Sequence, residues 1–489
     1  MANRLKVVLT TEGTYPYYRG GVSTWSDILI KKLDDIDFRI LAIMMHPYIT
    51  INFKLPPNVT ELINVPLWGT EEPTEYVSGL HFSEIFARKL KIHKDIIETV
   101  TFIMQNITHA IYYKNPNLQE IGVNLVQLYD IFQEYDYRTV FRSKYLWDFF
   151  YDTTLEFYKN EEEKPSVYEV VESLRWLYRF FITLLSPLRE ADIYHSSAAA
   201  FCGLPCIIAK IKKGSKFLLT EHGVYMREQY LFASREKMPI RSKEFFCGLI
   251  SLVSKLNYFF SDQVSPVCAH NKRWEIKLGT PEEKIKVIYN GIDTDLFRKM
   301  NVQRDDRPTV VMVARIDHLK DIETYIRTCA KVKEKIPNVL FKLYGPVVEK
   351  DYYELCKTLV TELNLNGNFV FEGLSFTPEI ANNEGDVVVL TSISEAFPFA
   401  VLEGMACEKV VISSDVGGTG EVLKGYGFVI KPKDHQAFAE KIIYMLEHSA
   451  EAAGIGIEAR QRVLNGFRID DMVRNYRETY YNLAGVHAA

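Results

Sequence analysis

Glu395 and Glu403 stand eight residues apart across the start of a predicted helix. The apolar run 386–390 before them reads as a buried parallel strand, because it lacks the polar alternation of a half-exposed one. It empties into a turn carrying Ser392, Ser394, Glu395 and Pro398. A helix is predicted from Phe399, with Pro398 placed where a missing N–H costs least. N–H groups at a helix start attract phosphate, whereas carboxylates accept hydrogen bonds from hydroxyls. The combination suits a ligand that is part phosphate and part polyol, as a nucleotide-sugar is. Two glutamates at this spacing mean little alone in a chain with 25% charged residues, so the flanking residues must carry the reading.

Other candidates occupy similar places. Arg315 and Lys320 flank the start of a helix predicted over 321–335. Gly20 and Gly21 fall between the first strand and the first helix, where a glycine pair lets the backbone approach a ligand and presents N–H groups to phosphate. The arrangement is not G-x-G-x-x-G, so it is a poor dinucleotide signal, and a plain tight turn is an equal reading. Glu221-His222-Gly223 ends another strand, and His195 sits in a comparable position, so a structural role is expected for one of the two histidines. Tyr289-Asn290-Gly291 reads as a polar turn, and Tyr344-Gly345-Pro346 closes a strand of the second half.

The bulk composition narrows the classes. A chain of 489 residues has room for two or three domains, and its 47% hydrophobic content is that of a globular protein. A formal charge of −5 argues against nucleic-acid binding. The seven cysteines are scattered with no C-x-x-C pair, which favours reduced core thiols in a cytosolic protein over disulfides or a metal site. Met1-Ala-Asn-Arg-Leu-Lys leads straight into a strand, so no signal peptide is expected. The apolar segment 247–260 is interrupted by Ser254, Lys255 and Asn257 and is too short to span a bilayer. Lys210, Lys212, Lys213 and Lys216 form a basic patch best read as a solvated loop.

Positioning the candidates requires parallel strands that deliver turns at their carboxyl ends, where open α/β sheets bind ligands. Strands are predicted over 5–10, 38–44, 191–197, 216–220, 262–265 and 286–288 in the first half. The second half repeats the pattern at 309–313, 339–343, 369–371, 386–390 and 410–413. Inside the first half, 82–188 is helical, with aromatics at three- and four-residue spacing that read as core. The charged, proline-terminated stretch Gln303 to Pro308 reads as a linker. The expected architecture is α/β. It has two Rossmann-like doubly wound domains, 1–300 with a helical insertion at about 82–188, and 301–467, facing an inter-domain cleft. A helix at 468–489 packs back on the first domain.

These residues bring a resemblance into view. The second half resembles the retaining group 1 (family 4) glycosyltransferases of the GT-B fold, whose Glu–seven residues–Glu motif corresponds to Glu395 and Glu403. Val313-Ala314-Arg315-Ile316-Asp317-His318-Leu319-Lys320-Asp321 is similar to that family's diphosphate-binding strand and turn, and Ile288-Tyr289-Asn290-Gly291-Ile292-Asp293 matches ahead of it. In the first half, Glu12-Gly13-Thr14-Tyr15-Pro16, Gly20-Gly21-Val22-Ser23 and Thr220-Glu221-His222-Gly223-Val224-Tyr225 resemble the glycosyltransferases of the bacterial Pel exopolysaccharide. Ala314 and Asp321 stand where the family commonly has glycine, and the Tyr344-Gly345-Pro346 turn is shorter than usual, which leaves base selection open.

The resemblance implies a retaining, metal-independent hexosyltransferase. It would move a sugar from a nucleotide-sugar, expected to be UDP-linked, to a growing exopolysaccharide such as Pel. It implies that Arg315 and Lys320 hold the donor diphosphate, Glu403 the ribose, and Glu395 and His222 the donor sugar. The N–H groups of Phe397, Phe399 and Ala400 would serve sugar and phosphates, with Pro398 donating none. Gly20 and Gly21 would approach the phosphates, Gly345 and Pro346 the base, and Asn290 belongs to the same donor-binding set. No metal and no cofactor beyond the co-substrate are implied. Expected partners are the donor, a polysaccharide acceptor and inner-membrane synthase or export proteins, with cytoplasmic placement. A glycosidase using the two glutamates, a UDP-sugar epimerase on the same fold and a catalytically silent nucleotide-sugar-binding subunit are the alternatives.

Overall fold

The computed structural model describes residues 4–70, 72–113 and 115–486. The β-branched, leucine-rich runs of the first half form six parallel strands: β1 (Lys6–Glu12), β2 (Asp37–Met44), β3 (Val59–Pro66), β4 (Ile193–Ser196), β5 (Lys216–Glu221) and β6 (Gln263–Pro266). They are ordered β3-β2-β1-β4-β5-β6. The second half forms β7 (Thr309–Val313), β8 (Leu340–Tyr344), β9 (Phe369–Gly373), β10 (Val387–Leu390), β11 (Val410–Ser414) and β12 (Phe428–Ile430), ordered β12-β11-β10-β7-β8-β9. Read from its own first strand, the second sheet repeats the order of the first. Both are the doubly wound order in which the chain reverses direction beside the first strand and opens a crevice at the carboxyl ends. In the first sheet that crevice lies between β1 and β4, in the second between β7 and β10.

Three sequence expectations need correction. β3 and β12 lie outside every predicted strand. Both are edge strands with mixed burial, so they lack the continuous apolar signal of a central parallel strand. The strand expected over 286–288 does not form. A single bridge joins Val264 to Ile285, and Lys286 donates its N–H to the Val264 carbonyl (2.9 Å) before the chain turns away.

The helical stretch starts earlier than 82, at Pro73–Ser78, and ends in the short 3-10 turn Phe181–Leu185. Its helices are stopped and started by side-chain caps. Asn117 accepts from the Glu120 N–H, Ser143 from Leu146, and Ser166 with Glu169 forms a reciprocal capping box. Its aromatics are core, as their spacing suggested. Phe132, Tyr137 and Phe150 are buried in one cluster with Val8 of β1 and Phe217 of β5, where each large side chain contributes on the order of 1.5–3 kcal/mol of burial.

The chain divides into two compact units, 1–266 with 272–287 and 477–489, and 267–271 with 288–476. The change-over falls between Val287 and Ile288. The 303–308 stretch therefore lies inside the second unit. The last helix, Ile469–Ala484, contributes residues to both, and the final three residues of the expected 468–489 helix lie outside the described residues. All seven cysteines are free thiols, six of them buried. No helix among the described residues is long and apolar enough to cross a membrane.

Candidate functional site

In the second unit, β7 and β10 pair in parallel through Val310–Val387 and Val311–Val388, so the turns that follow them emerge side by side. After β7 the chain enters a tight turn organised by Asp317, whose carboxylate accepts the N–H groups of Leu319 (3.0 Å) and Lys320 (3.2 Å). Asp321 then adopts the left-handed conformation (φ 48°, ψ 57°), which explains why glycine suits this position. Its carboxylate accepts from the Thr324 hydroxyl (2.7 Å), a local bond that helps aspartate tolerate it.

The turn after β10 is laced onto this one. Ile393 donates its N–H to the Leu319 carbonyl (2.9 Å), and the Thr391 hydroxyl bonds the carbonyls of Lys320 and Asp321 (both 3.0 Å). These bonds bring Lys320 Nζ into an ion pair with Glu395, to which Ser392 also donates (2.6 Å). The two charged side chains are only 17% and 12% exposed, so the pair is partly desolvated. Arg315 is 57% exposed and bonds Asp317 across 3.2 Å. The two basic residues are therefore held by carboxylates rather than free.

Glycines allow the loops to close up. A Cβ at Gly417 would lie 1.8 Å from the Glu395 carbonyl, and its φ of 55° already favours glycine. At Gly345, with φ 156°, a Cβ would lie 1.8 Å from the Ala314 carbonyl, beside Arg315. Pro346 is exposed and accepts from the Ile316 N–H (2.9 Å).

The helix begins at Phe399 with Pro398 at its cap and no side-chain cap. No acceptor for the N–H of Phe399 or Ala400 occurs among the described residues, as at the first turn of any helix, and such N–H groups favour an anion. Phe397 is buried against Tyr289 (5.6 Å between rings). The neighbouring Asn290 is 3% exposed and its side-chain oxygen has no partner among the described residues. The Glu403 carbonyl accepts the Cys407 N–H (3.1 Å), while its carboxyl makes no hydrogen bond among the described residues. Burial, helped by the charge of Glu379, pushes its carboxyl up to about 7. In its ionised form this half-buried carboxyl can accept hydrogen bonds from hydroxyls.

In the first unit, Gly20 and Gly21 lie on the surface at the start of the helix Gly21–Lys32, which has no side-chain cap. Gly20 is extended (φ 171°) and a Cβ there would meet nothing within 4 Å, so neither backbone nor packing demands glycine. The two histidines divide. His195 is fully buried, with Nδ1 bonded to the Tyr480 hydroxyl (2.7 Å) and Nε2 to the Thr220 hydroxyl (2.8 Å), a packed structural group. His222 packs its ring 4.5 Å from that of the buried Trp25, and its Nε2 finds no partner among the described residues. Burial lowers both imidazoles to about 3, so both are neutral.

Four residues outside the expected set carry this geometry: Thr391, Ser392, Asp317 and Trp25. The Ser392-x-x-Glu395 spacing has the form of a capping box and could have signalled Ser392. Nothing local marks Trp25. No cluster of metal-ligating side chains occurs among the described residues.

Residues 293–462 match the family described as Glycosyl transferases group 1, and residues 5–283 match Domain of unknown function (DUF3492). An uncharacterized glycosyltransferase of Methanocaldococcus jannaschii is 30% identical over 41% of this chain and 55% of its own length. A trehalose synthase of Thermococcus litoralis is 32% identical over 35% of this chain and 43% of its own. The chain thus spans about half the length of these curated relatives. Among solved structures, the sucrose-phosphate synthase of Thermosynechococcus elongatus aligns over 99% of this chain and 100% of its own (TM-score 0.63, 16% identity). Anabaena HepE in complex with UDP and glucose aligns over 97% and 99% (TM-score 0.61, 15% identity). The fold is accordingly GT-B, and the chain belongs to the DUF3492 family, with a group 1 glycosyltransferase domain following the DUF3492 region.

Proposed function

We propose that this chain is a retaining hexosyltransferase that moves a sugar from a UDP-sugar to a growing exopolysaccharide such as Pel. The observation that carries the reading is the Lys320–Glu395–Ser392 cluster beside the uncapped helix start, at the strand-order switch of the second sheet. A cation, free helix N–H groups and an acceptor-rich wall in one crevice match a diphosphate joined to two sugars. The UDP and glucose bound by the similarly folded HepE support the choice of donor class.

In this reading Lys320 leaves Glu395 for the donor diphosphate and, with Arg315 and the N–H groups of Phe399 and Ala400, stabilises the charge that grows on it. That electrostatic effect supplies most of the rate enhancement. Arg315 suits the task because its fork bonds two phosphate oxygens at once. The reading gives charge neutralisation to these groups and not to a divalent cation. Glu403 accepts from the ribose and the released Glu395 from a sugar hydroxyl. The backbone around Phe397 and Pro398 shapes the sugar pocket, while Asn290, Gly345 and Pro346 are assigned to the rest of the donor. The neutral His222 is assigned to a sugar hydroxyl, and Gly20 and Gly21 to the phosphates.

The acceptor hydroxyl attacks the anomeric carbon on the face from which the diphosphate departs. The carbon–phosphate-oxygen bond breaks, the new glycosidic bond forms on the same face, and the leaving phosphate takes the acceptor proton. Configuration is thereby retained without a protein nucleophile. Inner-membrane synthase or export proteins on the cytoplasmic side are proposed as partners, on the resemblance of the Glu12 to Ser23 region.

A screen of UDP-, GDP- and ADP-sugars, reading release of the nucleoside diphosphate with and without chelator, tests this. Release from a UDP-sugar that survives chelation is expected. Release from none of them, or only with a divalent metal, would contradict it.

A further inference from the structure

The helical insertion of the first unit holds a cavity that the donor chemistry leaves unused. It is an open hollow of about 370 Å³ between the helices Lys94–Tyr112 and Lys144–Phe157, a volume at the lower end of the range of ligand pockets. Its aromatic side is built from both helices. Phe157 stacks on Tyr112 (4.3 Å between ring centres, 21° between planes) and meets Tyr113 edge to face (5.5 Å, 87°). Tyr112 also packs against Phe245 of the helix Ile240–Phe260 (5.6 Å), a buried core residue, so the stack is anchored in the core. Packing accounts for Tyr112 and Phe157 in this way, but Tyr113 lines the hollow and stays 57% exposed.

The polar side also draws on both helices. Gln105 and His109, one turn apart, come from the first, and Asp152 and Thr153 from the second. None of these four side chains hydrogen-bonds to the protein among the described residues. Glu156, also in the lining, is paired with Lys159. No lysine or arginine lines the hollow among the described residues. A phosphate would meet carboxylates there and no counter-charge, which disfavours a nucleotide or an anionic lipid headgroup. Sugar hydroxyls are the opposite case. Each both donates and accepts, and an amide, an imidazole, a hydroxyl and a carboxylate together answer both needs. The negative face of an aromatic ring suits the weakly positive C–H face of a pyranose.

We propose that this hollow is a second carbohydrate site, taking an uncharged stretch of saccharide chain with a sugar ring against Tyr113 and hydroxyls bonded to Asp152 and Gln105. That the chain is the growing product rests on the function proposed above, whereas the chemistry of the site does not. A chain gripped at a second point dissociates less often between transfers, because the released end rebinds from within the same complex.

Calorimetry with cellotetraose, maltotetraose and chitotetraose tests the site without any transfer reaction. At least one of them is expected to bind at millimolar concentration. Tyr113→Ala and Asp152→Ala should each weaken that binding about tenfold. Tyr168→Ala, which removes an exposed tyrosine outside the lining, should leave it unchanged. Tyr113 and Asp152 are both exposed, so thermal unfolding should show their variants folded. Supplied with a UDP-sugar, Tyr113→Ala should release shorter chains than the wild type. Binding of none of the three saccharides, equal binding by all four proteins, or chains of equal length from wild type and Tyr113→Ala would overturn the proposal. If saccharide binding behaves as expected while no UDP-sugar is consumed, the function reading fails and the carbohydrate site stands.

Discussion

The two sheets share one strand order, yet the residues towards their carboxyl edges handle charge in opposite ways. In the second unit Lys320 pairs with Glu395 and Arg315 with Asp317, and the Arg315 side chain stays largely open to solvent. In the first unit charge is suppressed. His222 and His195 are neutral through burial, and burial pushes the Glu12 carboxyl up to about 7. One backbone topology therefore supports two chemistries, and the residues at the strand ends decide which. A crevice of paired charges can exchange its internal partners for a diphosphate, whereas a neutral, aromatic-backed one suits sugar hydroxyls.

The strongest way to break that contrast is to remove the exchangeable cation. Lys320→Ala should weaken binding of a nucleoside diphosphate by about 100-fold, roughly 3 kcal/mol for a partly desolvated charge contact. Circular dichroism should show the fold intact, and unchanged affinity by calorimetry would mean the pair is merely structural. Next in size is the split between the histidines. His195→Ala removes two buried hydrogen bonds and opens a cavity, so a loss of about 3 kcal/mol in denaturant unfolding is expected. His222→Ala, which loses ring contact but no hydrogen bond seen among the described residues, should cost much less stability and instead lower turnover. The reverse pattern would exchange their roles.

A smaller effect is expected at Glu403. Its carboxyl sits near 7 rather than in the usual carboxylate range, and hydroxyl donors bond its ionised form better. Uridine, which has no titrating phosphate, should therefore bind more tightly as pH rises through 7. Glu403→Gln should bind about tenfold more weakly above that point, about 1.4 kcal/mol, and show no such rise. The stability sign is opposite. A carboxyl raised above its unfolded value favours the fold at acid pH and loses that contribution as pH climbs from about 4.5 through 7, so Glu403→Gln should flatten that decline in melting temperature. The smallest effect belongs to Asp321→Gly. Relief of the left-handed backbone, about 1 kcal/mol, is offset by loss of the Thr324 bond of similar size, so stability should stay within about 0.5 kcal/mol.

How much of this was legible in the sequence follows the same division. The second unit's turns were readable because their signals are local: a basic residue just after a strand, a carboxylate just before a helix, glycines at close approaches. The left-handed Asp321 shows why a glycine-like position could be recognised there even without glycine. The first unit's groups depend on contacts across long separations, Trp25 with His222 and Tyr225 with Glu12, and no spacing rule reveals which of two histidines will find partners. His195 became structural only because Tyr480, 285 residues away, supplies a hydroxyl. Edge strands β3 and β12 escaped for a related reason, since half-exposed strands carry weaker patterns than buried central ones.

The most direct test is a calorimetric titration of UDP into the wild-type protein and into Lys320→Ala, in chelator, at low and moderate salt. The account predicts binding by the wild type that weakens with salt and falls by about two orders of magnitude in the variant. Equal binding by both proteins, or none by the wild type, would contradict it.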